Sequence, residues 1–181
     1  MKQNFTDPAM ISRFGQVAVL YGGTSAEREI SLRSGTAVIN ALQESGVSTV
    51  PVDIGSDPLQ QLRQLCVDRA FVALHGSGGE DGKIQALLEW LNLPYTGSGI
   101  AASALCMDKL RTKQLWRGVG LSTPDYQVLS ENTHWPAAIG ELRPGDPLLT
   151  TTHPLQRLTT ASVGHMADNN SGTLQIGNRV V

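Results

Sequence analysis

The sequence predicts an α/β fold built on a parallel, doubly wound sheet. Short continuous apolar runs, which are typical of strands buried on both faces, alternate with segments whose apolar residues recur every three or four positions, as on one face of a helix. Three glycine-rich loops each follow such a run and lead into a predicted helix. Strands that alternate with helices form parallel sheets, whose ligands bind beyond the carboxyl ends of the strands.

The elements can be placed in order between residues 16 and 129. The predicted strands are Val17–Leu20, Val47–Val52, Ala70–Leu74, Leu93–Thr96 and Tyr126–Leu129. The predicted helices are Ser31–Glu44, Pro58–Cys66, a segment carrying Ile84, Leu87, Leu88 and Leu91, then Ile100–Met107 and Asp108–Arg117. At each junction of strand and helix, the first backbone N–H groups of the helix are free to face a bound anion.

Composition and charge exclude several classes of protein. The 181 residues carry 14 basic and 16 acidic side chains with no lysine or arginine run, so a basic nucleic-acid binder is excluded. No apolar stretch approaches the roughly 20 residues that span a bilayer, and the first residues lack the apolar core of a signal peptide. The two cysteines, Cys66 and Cys106, form no motif. We therefore expect a cytoplasmic protein with neither a membrane nor a nucleic-acid partner.

The first glycine-rich loop, residues 22–29, offers a carboxylate to a cationic ligand group through Glu27. The alternative is a plain turn in which Glu27 and Glu29 lie near a helix start, where the helix dipole favours acids. Spacing alone favours the plain turn.

The second loop, residues 75–82, contains four glycines, one histidine and two acids in eight positions. So many glycines weaken a chain unless its backbone needs an unusual conformation or a close approach to a ligand. The alternative is that His75 bonds a neighbouring backbone carbonyl while Glu80 and Asp81 cap the next helix. Here the pattern favours a functional loop, with His75 at a strand end touching the ligand.

The third loop, residues 97–102, matches G-x-G-x-x-A. A dinucleotide site would require this pattern after the first strand, with an acid about 20 residues further on, so an NAD-dependent oxidoreductase is disfavoured against a tight turn. Lys109 and Lys113 lie four residues apart and share a helix face, which without further context indicates a solvated surface.

Taken in order, four segments resemble D-alanine–D-alanine ligase, of the ATP-grasp class. The segments are Val19–Ser31, Ala73–Gly82, Leu93–Gly99 and Ala102–Lys109. The resemblance covers about residues 16–129 and implies a Rossmann-like sheet of the pre-ATP-grasp type, followed by an incomplete ATP-grasp segment. It divides the chain into an amino-terminal extension (1–14), a ligase-like substrate domain (15–108), the start of an ATP-grasp domain (109–146) and a divergent tail (147–181), either frameshifted or disordered.

The resemblance also implies a reaction for peptidoglycan precursor synthesis. ATP phosphorylates the carboxylate of one D-alanine, the amine of a second attacks the acyl phosphate, and Mg²⁺ neutralises the phosphates. By motif, Glu27 would be the catalytic residue that holds the ammonium group of the first D-alanine. His75, Ser98 and Gly99 would complete the substrate-binding residues, and Lys109 would bind ATP phosphate. No residue is assigned to the metal, and the family further implies a homodimer through the amino-terminal domain.

Beyond about residue 145 the chain departs from the family. Residues 147–154, where the family has a second ATP-binding lysine, contain none; the four lysines are Lys2, Lys83, Lys109 and Lys113. Two explanations stay open: a frameshifted or truncated ligase gene, or a short protein that keeps the amino-terminal domain as a binding or dimerisation module. The frameshift requires a Val-Lys-Pro stretch in another frame of the encoding DNA. In either case we expect this chain alone to be inactive.

Overall fold

The computed structural model describes residues 7–129 and four short strands beyond them, at 147–150, 160–162, 175–176 and 179–180. The chain divides into two compact units, Met1–Met107 and Asp108–Val181. Most of the predicted divergent tail lies outside the described residues. No described helix is long and apolar enough to cross a membrane.

The first unit contains three strands and five α-helices among its described residues. The strands are β1 (Gln16–Gly22), β2 (Ser48–Ile54) and β3 (Arg69–Val72). The helices are α1 (Pro8–Ile11), α2 (Arg28–Glu44), α3 (Pro58–Arg63), α4 (Lys83–Trp90) and α5 (Ile100–Met107), with a 3₁₀ turn at Ser12–Phe14. The helix predicted to begin at Ser31 therefore begins three residues earlier, at Arg28. The helix predicted to end at Cys66 ends three residues earlier, at Arg63.

The sheet of the first unit is parallel, in the order β2-β1-β3. Leu20 of the central strand pairs with Val52 on one side and Val72 on the other. Ala18, Val19 and Leu20 are fully buried, as their continuous apolar run predicts for a strand covered on both faces. The predicted α/β class and parallel sheet are confirmed.

Helices pack on both faces of this sheet. Side chains alternate along a strand, and Ala18 and Leu20 point into the core with Leu62 of α3 and with Ile84 and Leu88 of α4. On the opposite face α2 approaches β1 so closely that a Cβ on Gly35 would overlap Tyr21. The arrangement is the doubly wound one.

The fourth predicted strand, Leu93–Thr96, is reduced to a single bridge between Tyr95 and Ala70. The Ala70 amide donates to Pro94 O at 2.8 Å, and the Thr96 amide donates to Ala70 O at 3.1 Å. Pro94 has no N–H to extend this pairing, so the expected strand was too long.

The second unit begins with α6 (Lys109–Gly118), which Asp108 caps by accepting the Arg111 amide at 3.0 Å. Five short strands follow among its described residues. They are β4 (Gln127–Leu129), β5 (Pro147–Thr150), β6 (Thr160–Ser162), β7 (Gln175–Ile176) and β8 (Arg179–Val180). β5 pairs with β4 in parallel and with β6 antiparallel, while β7 and β8 pair antiparallel with each other.

Candidate functional site

The first and second loops meet because β1 and β3 are parallel neighbours whose carboxyl ends share one edge of the sheet. The Ser25 hydroxyl donates to His75 O at 2.8 Å and accepts the Glu27 amide at 3.1 Å. Gly76 has φ +66°, and a Cβ on it would lie 2.6 Å from Glu27 Oε2. The exposed carboxylate of Glu27 therefore lies directly against the backbone of the second loop.

A buried serine joins the ends of the same two strands. Ser31 of α2 is fully buried; its hydroxyl accepts the Gly22 amide at 2.9 Å and donates to Ala73 O at 2.7 Å. These bonds link the last residue of β1 to the residue that follows β3. Ser31 lies within the first matching segment, but nothing in the local pattern distinguished it from the other small residues there.

The His75 ring points toward α2. Its Nε2 lies 3.1 Å from the Ser34 hydroxyl, and its Nδ1 lies 3.7 Å from Glu80 Oε1. The side chain is one-third exposed, so a small ligand can reach it. The alternative that His75 bonds a backbone carbonyl is wrong, since the ring's hydrogen-bond partner is a serine.

Two side chains brace the second loop from within. Glu80 folds back so that its Oε2 accepts the Gly76 amide at 2.9 Å, instead of capping the next helix. Gln85, buried in α4, donates to Gly79 O at 2.8 Å. The loop is thus held in place before any ligand binds.

Of the two acids in this loop, Asp81 is the more buried. Burial alone would raise the pKa of its carboxyl group, but hydrogen bonds from Lys83, from the Gly78 amide and from the Ser77 hydroxyl outweigh burial and lower it. The Lys83 ammonium lies 2.9 Å from Asp81 Oδ2, and the Lys83 amide bonds Oδ1 at 3.3 Å. Asp81 therefore bonds the first residue of α4, although the N-cap of that helix is Gly82 and forms no side-chain cap.

The first loop is fastened to the end of β2 by an ion pair that the sequence pattern did not reveal. Arg28 makes two bonds to the Asp53 carboxylate, at 2.6 and 2.7 Å, and a third to Gly23 O at 3.0 Å. The hydrogen bond from Arg28 lowers the pKa of Asp53, and the same bond raises the pKa of Arg28. Because both side chains are about two-fifths exposed, the pair orients the loop more than it stabilises the fold.

A cavity of about 220 Å³ opens beside this junction, on the α4 side of the second loop. Its lining combines apolar and polar side chains. The apolar ones are Ile54, Pro58, Leu74, Ile84 and Leu87, and the polar ones include Thr24, Ser56, His75, Ser77 and Lys83. The volume lies below the roughly 300–1,000 Å³ of pockets for drug-sized ligands, so a small metabolite fits better.

The other predicted site residues are Ser98, Gly99 and Lys109. Ser98 accepts the Ser103 hydroxyl on its backbone oxygen at 3.2 Å, and a Cβ on Gly99 would lie 3.6 Å from Glu89 Oε1. Neither residue lines the cavity. Lys109 is exposed in the first turn of α6, within the second unit. The described contacts thus bring together Glu27 and His75 among the predicted residues.

A metal centre requires several ligating side chains close together. Among residues 7–129 and the four short strands, no group of three or more histidine, cysteine, aspartate or glutamate side chains could hold an ion. These residues alone therefore do not fit a bound Mg²⁺.

Comparisons with known proteins agree on one family. A family model described as "D-ala D-ala ligase N-terminus" matches residues 16–62 and 56–98. The chain is 58% identical over 139 residues to a D-alanine–D-alanine ligase of Pseudomonas entomophila, covering 77% of this chain and 43% of that protein. It is 52% identical over 167 residues to the enzyme of the same name from Stutzerimonas stutzeri, covering 92% of this chain and 52% of that protein.

A solved structure is similar in both sequence and fold. The D-alanine–D-alanine ligase of Bacillus anthracis complexed with ATP matches with a TM-score of 0.56 and 36% identity, over 61% of this chain and 38% of that chain. The present chain thus spans about half or less of the length of these relatives. Because 167 aligned residues cannot fit within the first 146, the similarity to the Stutzerimonas protein includes at least 21 residues beyond residue 146.

Proposed function

We propose that residues 15–108 are the substrate domain of a D-alanine–D-alanine ligase and bind D-alanine, because the family model for the amino-terminal part of such ligases matches residues 16–98. The observation that carries the proposal is the junction of the two loops, where the Glu27 carboxylate lies against the backbone at Gly76. The activity proposed for the complete family protein is the ATP-dependent joining of two D-alanines for peptidoglycan precursors.

The charge of Glu27 suits it to bind an ammonium group. Its side chain is exposed, and among the described residues it forms no ion pair. By contrast, Asp53 and Asp81 already have cationic partners in Arg28 and Lys83. The α-ammonium group of an amino acid is the cation of matching size and charge, and charge-assisted hydrogen bonds are the strong ones in such sites.

His75 forms the second part of the proposed subsite. Its backbone is tied to the first loop through Ser25, and its ring is held by α2, so both predicted residues are positioned by the same junction. A binding site that is preformed avoids part of the entropy cost of ordering side chains on binding. Ser98 and Gly99 stay second-rank candidates for this subsite.

ATP and Mg²⁺ belong to the proposed activity of the complete protein. Lys109, exposed on α6, is the candidate for contact with ATP phosphate, since a lysine ammonium is a common partner of phosphate. The described residues hold no candidate cluster for Mg²⁺, so we derive no step through it. A cytoplasmic location and a homodimer through residues 15–108 are parts of the proposal that rest on the family alone.

The test is D-alanine binding by the purified 181-residue chain, measured by titration calorimetry or ligand-observed NMR. We expect saturable binding of D-alanine and at least tenfold weaker binding by Glu27→Gln, because removing one charge from a hydrogen-bonded pair in a binding site costs about 2 kcal/mol or more. Glu29→Gln is the matched control: it removes the same charge two residues away, in the first turn of α2.

Two outcomes would contradict the proposal. Equal losses in Glu27→Gln and Glu29→Gln would mean that general charge, not a defined subsite, governs binding. No saturable binding by the wild-type chain, with its fold intact by circular dichroism, would refute the proposal that residues 15–108 bind D-alanine without the rest of a ligase.

A further inference from the structure

Ser34 of α2 has two hydrogen-bond contacts and one hydroxyl proton. Its Oγ lies 3.0 Å from Ile30 O and 3.1 Å from His75 Nε2. A backbone carbonyl can only accept, whereas an imidazole nitrogen donates or accepts according to its tautomer. The single hydroxyl proton of Ser34 is donated to Ile30 O, because that carbonyl has no proton to give. The contact with His75 is then also a hydrogen bond only if Nε2 carries a proton and donates it to Ser34 Oγ.

Glu80, on the Nδ1 side of the ring, forms no direct hydrogen bond with His75. Glu80 Oε1 lies 3.7 Å from His75 Nδ1, which is longer than a hydrogen bond, and the other oxygen of Glu80 is held by the Gly76 amide at 2.9 Å. The direct partner of the ring is therefore Ser34.

We propose that Ser34 is a positioning residue: it holds the His75 ring against α2 and fixes the neutral tautomer with its proton on Nε2, which leaves the Nδ1 lone pair facing the second loop. Part of this inference rests on the proposed function, because the consequence for binding requires that His75 lines a D-alanine subsite. The tautomer itself does not depend on the ligand.

The same helix provides a matched control. Thr36 also donates its hydroxyl to the carbonyl four residues earlier, Leu32 O, at 2.8 Å, and it is exposed. Thr36→Ala thus removes the same kind of side chain–backbone bond as Ser34→Ala without touching His75. Ser34→Thr is the conservative variant, since threonine hydroxyls in helices also bond to preceding carbonyls.

The first measurement is nitrogen-15 NMR of the histidine rings, with His75 assigned from the spectrum of His75→Asn. We expect the proton on Nε2, with an Nε2–H signal that exchanges slowly with water, in the wild-type chain, Ser34→Thr and Thr36→Ala. In Ser34→Ala that signal is lost to fast exchange. A proton on Nδ1 in the neutral wild-type ring would overturn the proposal, and so would an unchanged ring signal in Ser34→Ala.

The second measurement is the dissociation constant for D-alanine. We expect Ser34→Ala to weaken binding about three- to tenfold, the range of one lost net hydrogen bond, and Ser34→Thr and Thr36→Ala to change it less than twofold. Unchanged affinity in Ser34→Ala would overturn the role in binding. If the wild-type chain bound no D-alanine, the proposed function would fail while the ring spectra still decided whether Ser34 sets the tautomer.

Discussion

The second and third glycine-rich loops resemble each other in sequence and differ in their surroundings. Both contain glycines at positive φ, such as Gly76 at +66° and Gly97 at +103°, and both lead into a helix. The second loop follows β3, the neighbour of the central strand, and there it meets Glu27. The third loop follows a strand reduced to one bridge, and a Cβ on Gly97 would contact nothing within 4 Å.

This difference shows that glycine content predicts a turn, whereas the order of the strands decides whether that turn contributes to a site. A loop can form a site with a second loop only if the two preceding strands end side by side, as β1 and β3 do. Three predictions test this contrast between the two loops.

The largest expected effect concerns the serines that fasten each loop. Ser31→Ala leaves the Gly22 amide and Ala73 O buried without partners, which should lower the free energy of unfolding by about 2–4 kcal/mol. Ser103→Ala removes only an exposed bond to Ser98 O and should cost less than about 0.5 kcal/mol. Urea denaturation measures both, and equal losses would mean that the two loops are fastened equally.

The next effect separates stability from binding. Gly76→Ala and Gly97→Ala should each cost about 1–2 kcal/mol of stability, because alanine is strained at positive φ. In Gly76→Ala alone the new Cβ displaces the flexible Glu27 carboxylate, so we expect at least tenfold weaker D-alanine binding. Binding that is equally weak in Gly97→Ala would place the third loop in the site as well.

The smallest expected effect is a change in the pKa of Tyr95, beside the third loop. The Tyr95 hydroxyl donates to Glu89 Oε1 at 2.6 Å, and this bond, with some help from burial, raises the pKa of Tyr95 to about 12. Glu89→Gln should return it toward about 10, the value of a free phenol.

The direction of the linked stability follows from that shift. Because the folded pKa of Tyr95 is raised, its contribution is complete below about pH 10 and is lost as the pH rises toward about 12. A difference in phenolate absorbance between wild type and Glu89→Gln measures the shift, and D-alanine binding at neutral pH should be unchanged. Identical titration curves would show that the Tyr95–Glu89 bond does not form in solution.

Much of the fold could be predicted from the sequence. The run Val17–Leu20 identified the central strand, and the spacing of Ile84 and Leu88 identified the buried face of α4. The prediction of a fourth strand was wrong because an apolar run is a local feature, whereas strand pairing depends on hydrogen bonds to a neighbour. Here the pairing is limited to the bonds with Ala70, since Pro94 has no N–H to donate.

Within the candidate site, the sequence singled out Glu27 and His75 but not their supports. Ser31 and Ser34 are ordinary helix residues by pattern, and neither looks different from Thr36 until the loop from residue 75 is placed against α2. The partner of Arg28 is 25 residues away in the sequence, at the end of β2.

Local sequence patterns predicted most of the strands, helices and turns, because side-chain periodicity and glycine content act over a few neighbouring residues. The order of the motifs also predicted a resemblance to D-alanine–D-alanine ligases, and the family model for the amino-terminal part of these ligases matches residues 16–98. Which loops meet depends instead on tertiary packing. The side-by-side placement of β1 and β3 depends on packing between residues about 50 positions apart, and that placement sets Glu27 against Gly76 and Ser34 against His75.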